Sequence, residues 1–202
     1  MAEWKLFDNH SHVSTFEFHE HRERAPHLEQ WGHKARLHKA AEFVQAACLY
    51  DGEACSVSDL GCGDGGLLSI VQNYSCVSRA WGYDFQPSNE RGWAERGVTA
   101  YQADVFNYTG EERPIEFGRI SVTTEVLEHL VDPHGVVAGL TAVSNYMVAS
   151  SPYDETNVAH DECHSWAWDM DGYRALFENA GWSVQNHVAV DAKFQVLWAV
   201  RR

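Results

Sequence analysis

The chain has 202 residues, 45% of them apolar, which suffices for one globular domain with a substantial core and argues against disorder. Its formal net charge of −14 argues against broad binding to nucleic acid, because lysine and arginine must neutralise the phosphates there. Five cysteines without a C-x-x-C pair predict reduced thiols in the cytoplasm, and no apolar run is long enough to predict a membrane span.

The first 30 residues differ from the rest in composition and in periodicity. They are rich in histidine and phenylalanine and show no steady period, so we interpret residues 1–30 as an irregular or partly helical arm. From Trp31 the apolar residues recur at helical spacing, for example at Leu37 and Ala40, which predicts a long helix. We therefore expect the folded domain to span residues 31–202.

Strand and helix signals alternate beyond that helix. Strands are predicted over Ser56–Leu60, Arg79–Asp84, Val98–Val105, Arg119–Thr124, Asn145–Ser150, Trp182–Val190 and Phe194–Val200. Helices are predicted over Gly66–Tyr74, Glu90–Arg96, a segment that begins at Asp132-Pro133, and Asp171–Ala180. This order predicts an α/β fold: a Rossmann-like, doubly wound, mostly parallel seven-stranded sheet with a C-terminal antiparallel hairpin. In such sheets ligands bind beyond the carboxyl ends of the strands.

A glycine-rich turn, from Asp59 to Gly66, follows the first strand of that sheet. Glycines let the backbone turn tightly and approach a ligand, and the helix that follows offers unpaired N–H groups. Asp84 comes about 20 residues later, where an acid accepts the ribose hydroxyls of a nucleoside. Asp104 ends the third predicted strand and is placed to accept an adenine amine. The set predicts a nucleoside cofactor site.

Two cofactor classes fit this turn. Gly61, Gly63 and Gly66 satisfy the G-x-G-x-x-G dinucleotide fingerprint, which keeps a hydride-transfer enzyme as an alternative. Asp59 and Asp64, however, are unfavourable beside a pyrophosphate and suit a cationic amino group.

Two carboxylates and an imidazole follow the fourth predicted strand, at Glu125, Glu128 and His129. If this segment is helical, the three side chains share a face, which predicts a hard-cation site that is short of one or two ligands. His160 and His164 are candidates for those ligands. The alternative is that the acids position another group and no metal binds.

The turn Asp59–Gly65 resembles motif I of the class I S-adenosylmethionine-dependent methyltransferases, and residues 31–202 follow the element order of that family. The resemblance implies that the methionine moiety lies at the glycine turn, the ribose at Asp84 and the adenine at Asp104 and Val105. The full set that it implies for S-adenosylmethionine is Asp59, Gly61, Cys62, Gly63, Asp84, Phe85, Asp104, Val105 and Thr124.

The later segments are similar to two related families, the small-RNA 3′-terminal 2′-O-methyltransferases and the ubiquinone-pathway O-methyltransferases. The similarity rests on Glu125–His129, Ser150-Ser151-Pro152, His160–Trp168 and Tyr173–Trp182. The RNA family implies a divalent ion (Mg, Mn, Zn or Fe) on Glu125, Glu128, His129 and His164, with His164 preferred to His160. The chain departs from that family in its acidity and in its histidine-rich arm.

These patterns predict a methyltransferase that acts on an oxygen of a small molecule with adjacent oxygens, with His129 as the base where no metal is bound. A ribose 2′-O-methyltransferase on RNA or a nucleotide, and a cofactor-binding protein without catalysis, are the alternatives. A basic groove near His164 would favour RNA or a nucleotide. A closed aromatic pocket, with walls from Trp31, Trp166 and Trp168, would favour the small molecule.

Overall fold

The computed structural model describes residues 2–6, 27–105 and 115–202. The arm over residues 1–30 falls largely outside these ranges, so it stays a prediction. Among the helices in the described ranges, none combines the length and the apolar character needed to cross a bilayer.

Strands and helices alternate along most of the described chain. The strands are β1 (Glu3–Lys5), β2 (Cys55–Leu60), β3 (Val77–Asp84), β4 (Ala100–Gln102), β5 (Ile120–Thr124), β6 (Tyr146–Pro152), β7 (Trp166–Trp168), β8 (Trp182–Val190) and β9 (Phe194–Arg201). The α-helices are α1 (Trp31–Asp51), α2 (Gly66–Val71), α3 (Glu90–Arg96), α4 (Pro133–Leu140) and α5 (Met170–Asn179). Short 3-10 turns lie at His27–Glu29, Pro87–Asn89 and Leu127–His129.

One seven-stranded sheet organises the domain, in the order β4-β3-β2-β5-β6-β9-β8. The five strands from β4 to β6 run parallel, and β9 is antiparallel to both β6 and β8. The predicted fold class, with its parallel sheet and terminal hairpin, is thereby confirmed.

The pleat of the central strands separates two cores. In β6, Val148 faces the core under α1, whereas its neighbours Met147 and Ala149 face the core under α4 and α5. Both faces are covered, so the small polar side chains inside the central strands pair with one another, as Ser58 Oγ and Ser121 Oγ do at 3.3 Å. Charged side chains, such as Asp59 and Asp84, lie at the carboxyl ends of the strands.

Two predicted elements are shorter than expected. β4 covers only Ala100–Gln102 because Val98 is used to end α3, where its N–H donates to the Trp93 carbonyl at 3.1 Å. α2 ends at Val71 instead of Tyr74, whose N–H donates to the Val71 carbonyl in a turn at 3.0 Å.

The beginning of the chain forms a small sheet that the sequence did not reveal. β1 pairs with β7 in antiparallel register, and the Leu6 N–H continues the pairing to the Ser165 carbonyl at 2.8 Å. The Glu3 carboxylate accepts a hydrogen bond from Trp168 Nε1 at 2.7 Å and contacts His134 Nε2 at 2.9 Å. Residues 2–6 are thus attached beside the loop that carries His164.

Removal of the Glu3 carboxylate tests that attachment. Glu3→Ala leaves the indole N–H of the fully buried Trp168 without its acceptor, so we expect a loss of about 1–3 kcal/mol in the free energy of unfolding. Glu3→Gln retains an acceptor oxygen and is the matched control, with less than half of that loss. Urea unfolding compares the two, and equal losses would contradict the role of the indole hydrogen bond.

Candidate functional site

A cavity of about 340 Å³ opens at the carboxyl ends of β2, β5 and β6, with α1 along one side. It joins several segments that are far apart in sequence. Its lining consists of His27, Gln30, His33, Arg36, Leu37, Asp59, Gly61, Cys62, Gly63, Gly66, Leu67, Thr124, Glu125, His129, Pro152, Glu155, Asp161, Cys163, His164, Lys193 and Phe194. The glycine turn and the predicted histidine pair therefore face the same space.

The glycine turn is packed so closely that side chains would not fit. Gly61 has φ +81°, and a Cβ placed on it would lie 2.5 Å from Val126 Cγ2. Gly63 has φ +52°, and its Cβ would lie 3.0 Å from His27 Cε1. Glycine is required on both counts, because only glycine adopts such a φ without strain. The backbone of the turn consequently borders the cavity directly.

Asp59 presents an unusual carboxylate to this cavity. The residue is buried, and its Oδ1 makes no hydrogen bond to any residue that the structure describes. Burial raises the pKa of Asp59 to about 7, helped by Asp84 and Asp64 and opposed by the nearby Arg36. A buried acceptor without a partner is costly, and a cationic ligand group would satisfy it.

Asp64, the other acid of the turn, has a different environment. Its Oδ2 accepts a hydrogen bond from Arg96 Nη2 at 2.7 Å, and its Oδ1 lies 3.2 Å from His27 Nδ1. Burial alone would raise the pKa of Asp64, but the hydrogen bonds from His27 and Arg96 outweigh it and hold that pKa well below its usual range. Asp64 therefore stabilises the turn from within the protein, and Asp59 is the acid that is left to meet a ligand amine.

Asp84 lies directly beneath the turn. Its Oδ2 accepts the Gly63 N–H at 2.9 Å, and its Oδ1 accepts the Gln86 N–H at 2.9 Å and Asn89 Nδ2 at 3.0 Å. These bonds hold the turn against the end of β3. Asp84, Phe85, Asp104 and Val105, which the sequence assigns to the ribose and adenine, lie outside the cavity lining. Residues 106–114, which follow Val105 directly, are outside the described ranges.

Cys62 lines the cavity and also belongs to a small apolar cluster. Its side chain packs with Leu68 and Trp93, and burial raises the pKa of Cys62 well above its usual value. It is thus a neutral thiol in apolar surroundings.

The segment after β5 is not the helix that would have placed its acids on one face. Glu125 has φ +58°, a left-handed conformation that a residue other than glycine rarely adopts, and only Leu127–His129 form a single 3-10 turn. Glu125 Oε1 accepts a hydrogen bond from Ser150 Oγ at 3.0 Å and lies 3.9 Å from Arg36 Nη1. Burial raises the pKa of Glu125, although Arg36 and Ser150 act in the opposite direction.

Glu128 points into the protein and does not line the cavity. It is buried, and neither carboxylate oxygen makes a hydrogen bond to a described residue. Burial, with Glu125 nearby, raises the pKa of Glu128 well above its usual value. The two glutamates thus stay close enough to interact, but only Glu125 lines the cavity.

The two histidines of the predicted metal set do come together. The rings of His129 and His164 are 4.7 Å apart between centroids and nearly perpendicular. His129 Nδ1 lies 3.0 Å from the Cys163 carbonyl, and His164 Nδ1 lies 2.6 Å from Glu155 Oε2. His160 lies outside this pair, with its Nδ1 2.9 Å from the Asp161 carbonyl. Of the two downstream candidates, His164 is the one at the cavity.

Three residues of the site were missed in the sequence. Arg36 is almost fully buried on α1, where its guanidinium donates to Ser150 Oγ at 3.2 Å. A cation four residues before Ala40, on the apolar face of a helix, was a usable signal. Cys163 lies in the candidate segment His160–His164 without having been singled out, and Glu155 gave no signal, because only the folded loop after β6 brings it beside His164.

The tryptophans that were expected to form the walls of an acceptor pocket do not line the cavity. Trp168 is fully buried against Tyr173, and Trp166 stacks on Trp168 at 6.1 Å between ring centroids. Trp31 is 80% exposed, and none of these three side chains lines the cavity. Pairing of β7 with β1 explains the tryptophans at 166 and 168, because it draws that strand into the core.

The three-dimensional structure of the chain is similar to several solved structures. No protein-family model and no curated protein matches the chain. The N-methyltransferase NodS from Bradyrhizobium japonicum WM9, solved with S-adenosyl-l-homocysteine, superposes with a TM-score of 0.69 at 13% identity, over 92% of this chain and 96% of NodS. The magnesium protoporphyrin IX methyltransferase ChlM from Synechocystis PCC 6803, with bound SAH, gives 0.62 at 15% identity, over 90% of both chains.

A third similar structure is the methyltransferase domain of bacterial CtHen1, with a TM-score of 0.63 at 18% identity, over 84% of this chain and 99% of that domain. NodS is an N-methyltransferase and ChlM is a magnesium protoporphyrin IX methyltransferase, so the likeness concerns the fold. The arrangement of the sheet, the glycine turn and the near-complete coverage agree: this chain has the fold of the class I S-adenosylmethionine-dependent methyltransferases.

Proposed function

We propose that the protein is an S-adenosylmethionine-dependent methyltransferase that methylates an oxygen of a small polar molecule with adjacent oxygens, assisted by a divalent ion. The observation that carries the proposal is that one cavity holds both the unsatisfied Asp59 carboxylate of the glycine turn and the His129–His164 pair. A methyl donor and an acceptor must meet within such a space.

The donor end is formed by groups of opposite charge. S-adenosylmethionine supplies a methyl group that its sulfonium already activates, so the protein has to bind and align it. Asp59 Oδ1 accepts the ammonium of the methionine moiety, which satisfies the buried carboxylate. The Arg36 guanidinium, on the α1 side of the same cavity, attracts the carboxylate of that moiety. The close-packed Gly61–Gly63 backbone lets the ligand approach the turn.

The acceptor end is formed by the two imidazoles. In each ring the Nδ1–H donates to a fixed oxygen, the Cys163 carbonyl for His129 and Glu155 for His164, which leaves the lone pair on Nε2. A neutral imidazole in this state either accepts the proton of the acceptor hydroxyl or holds a metal ion. His129 fills the first role where no ion is bound.

The residues present fit a divalent ion. His129 and His164 would hold it, because their rings lie side by side at the cavity. An ion at this place acts as a Lewis acid that lowers the pKa of a hydroxyl and selects acceptors with two neighbouring oxygens.

The charge of the acceptor end favours a small polar acceptor over RNA. Glu155 and Asp161 line the cavity beside His164, where a polyanion would be repelled. Among the described residues of the lining, Phe194 is the one benzene ring, so this part of the cavity offers little aromatic surface to a large apolar acceptor. A nucleotide ribose also carries adjacent hydroxyls and is the second candidate. Detection of methyl transfer to either acceptor would distinguish these two enzymatic functions from a cofactor-binding protein without catalysis.

Formation of S-adenosylhomocysteine from S-adenosylmethionine tests the proposal. We expect a catechol or a free ribonucleoside to be methylated, phenol to react poorly, and a single-stranded RNA to give no advantage over the nucleoside. Excess chelator should reduce the transfer sharply, to what His129 alone supports, and added divalent ion should restore it, because the ion would bind the paired oxygens and lower the pKa of the hydroxyl. Full activity in excess chelator would exclude the metal, and lack of S-adenosylhomocysteine binding would exclude the whole assignment.

Gly61→Ala tests the glycine turn. The new Cβ would overlap Val126 in a left-handed backbone, so we expect both a loss of stability and a loss of S-adenosylhomocysteine affinity. Gly97→Ala is the matched control, because Gly97 also has a positive φ (+62°) but nothing lies within 4 Å of its Cβ position. The control should lose about 1–2 kcal/mol of stability from the backbone alone and retain its affinity. Calorimetric titration decides, and unchanged affinity in Gly61→Ala would place the ligand elsewhere.

Asp59→Asn separates stability from binding. The pKa of Asp59 is raised from 3.8 to about 7, so the wild-type fold loses stability as pH rises through that window, because the unfolded chain ionises first. The variant lacks this loss, which is on the order of a few kcal/mol at about 1.4 kcal/mol per pKa unit. We expect Asp59→Asn to unfold at higher urea than the wild type at pH 8, yet to bind S-adenosylhomocysteine poorly.

The wild-type affinity for S-adenosylhomocysteine should itself fall below pH 7, as the Asp59 carboxylate that meets the ammonium becomes protonated. Asp191→Asn, in the exposed β8–β9 turn, is the control for both measurements and should change neither. Tight binding by Asp59→Asn at pH 8 would contradict the role of Asp59.

A further inference from the structure

The acceptor end of the cavity contains a cysteine sulfur beside the two histidines. The set of carboxylates and histidines predicted from the sequence does not include it. Within the described ranges, one group of three or more candidate ligands gathers closely enough to hold a metal ion: His129, Cys163 and His164. One ligand atom from each lies within 4.8 Å of the other two. Cys163 and His164 are buried, and all three line the cavity.

The glutamates do not belong to this group. Glu125 already receives a hydrogen bond from Ser150 and faces the Arg36 guanidinium, and Glu128 lies outside the cavity lining. The ligand set at the cavity is therefore two imidazole nitrogens and one sulfur. Such a set favours Zn²⁺, Co²⁺ or Fe²⁺ over Mg²⁺, which prefers oxygen ligands.

Each of the three ligands is oriented by a neighbouring group. The Cys163 carbonyl and Glu155 occupy Nδ1 of His129 and His164, so that both Nε2 atoms carry lone pairs. The Cys163 thiol donates to Asp161 Oδ1 at 2.9 Å, and the Cys163 N–H donates to the same oxygen at 3.0 Å. Asp161 thus holds the loop in place, and its carboxylate is close enough to accept the thiol proton.

We propose that Cys163 Sγ, His129 Nε2 and His164 Nε2 form a three-ligand site for a zinc-class ion. This inference deepens the proposed function and rests on it. On binding, a metal–sulfur bond replaces the S–H bond, and the proton passes to the Asp161 carboxylate and on to solvent. A four-coordinate ion with three protein ligands keeps one position open, which is the arrangement of catalytic zinc sites. That position accepts one oxygen of the methyl acceptor, and expansion to five ligands, which catalytic zinc sites allow, admits the adjacent oxygen.

Cobalt spectroscopy on the full chain tests the sulfur ligand without any activity measurement. The protein is stripped with chelator and titrated with Co²⁺. We expect a thiolate-to-cobalt charge-transfer band in the wild type. Cys163→Ser should lose this band, whereas Cys76→Ser, at a half-buried thiol outside the cavity, should retain it. A band that persists in Cys163→Ser, or no band in the wild type, would overturn the proposal.

Two further measurements guard against a variant that fails to fold. X-ray absorption at the zinc edge of the wild-type protein should count one sulfur among the ligands, and none would overturn the proposal. Glu155→Gln should weaken Zn²⁺ binding by about 10–100-fold while the charge-transfer band remains, because Glu155 only orients His164. Unchanged Zn²⁺ affinity in that variant would overturn the orienting role of Glu155 in the proposed site.

Titration with S-adenosylhomocysteine keeps the two proposals apart. If the cofactor binds and the cobalt band is missing, the methyltransferase assignment stands and the sulfur ligand is wrong. If the cobalt band is present and the cofactor does not bind, the metal site exists in a protein with another function, and the role proposed here for the open position is overturned. Mg²⁺ binding more tightly than Zn²⁺ would also contradict the sulfur ligand.

Discussion

Among the residues that the structure describes, the candidate site depends on one buried cation, Arg36, among several buried carboxyl groups. Burial raises the pKa of Asp59, Glu125 and Glu128, and Arg36 lowers it in each case without offsetting the burial. One guanidinium does not balance three carboxylates in a medium of low polarity. The free protein meets this shortage by keeping protons on carboxyl groups. An ammonium and a divalent ion would supply the same positive charge from outside, so ligand binding and proton release are coupled here.

Close packing connects the donor end of the cavity, at the glycine turn, with the acceptor end. Val126 fills the space where Gly61 would carry a side chain, and it reaches that place because Glu125 has a left-handed backbone. The glycine turn after β2 and the acidic segment after β5 are therefore one packed unit, although more than 60 residues separate them. Strain at Glu125 is tolerated because Ser150 holds both its backbone N–H and its carboxylate.

The sequence was informative wherever local rules decide the structure. The Asp132-Pro133 helix start, the buried strands and the terminal hairpin all form as periodicity and capping predict, with Asp132 accepting the Gly135 N–H. It failed where distant contacts decide. The segment through Glu128, whose acids would share a face only in a helix, is a single 3-10 turn, and the β1–β7 pairing joins residues more than 150 positions apart. Single-sequence periodicity contains no information on such pairings.

Charge is distributed unevenly around the cavity, and this asymmetry constrains the acceptor. Arg36 and Lys193 lie on the side of α1 and the β8–β9 turn, while Glu155 and Asp161 lie on the loop after β6. A donor whose ammonium would meet Asp59 and whose carboxylate would face Arg36 shares the cavity with His129. An acceptor on the side of Glu155 and Asp161 would enter between acids, where an anionic molecule is repelled and a neutral hydroxyl is not. The charges that line the cavity would then select the methyl acceptor as much as the shape of the cavity does.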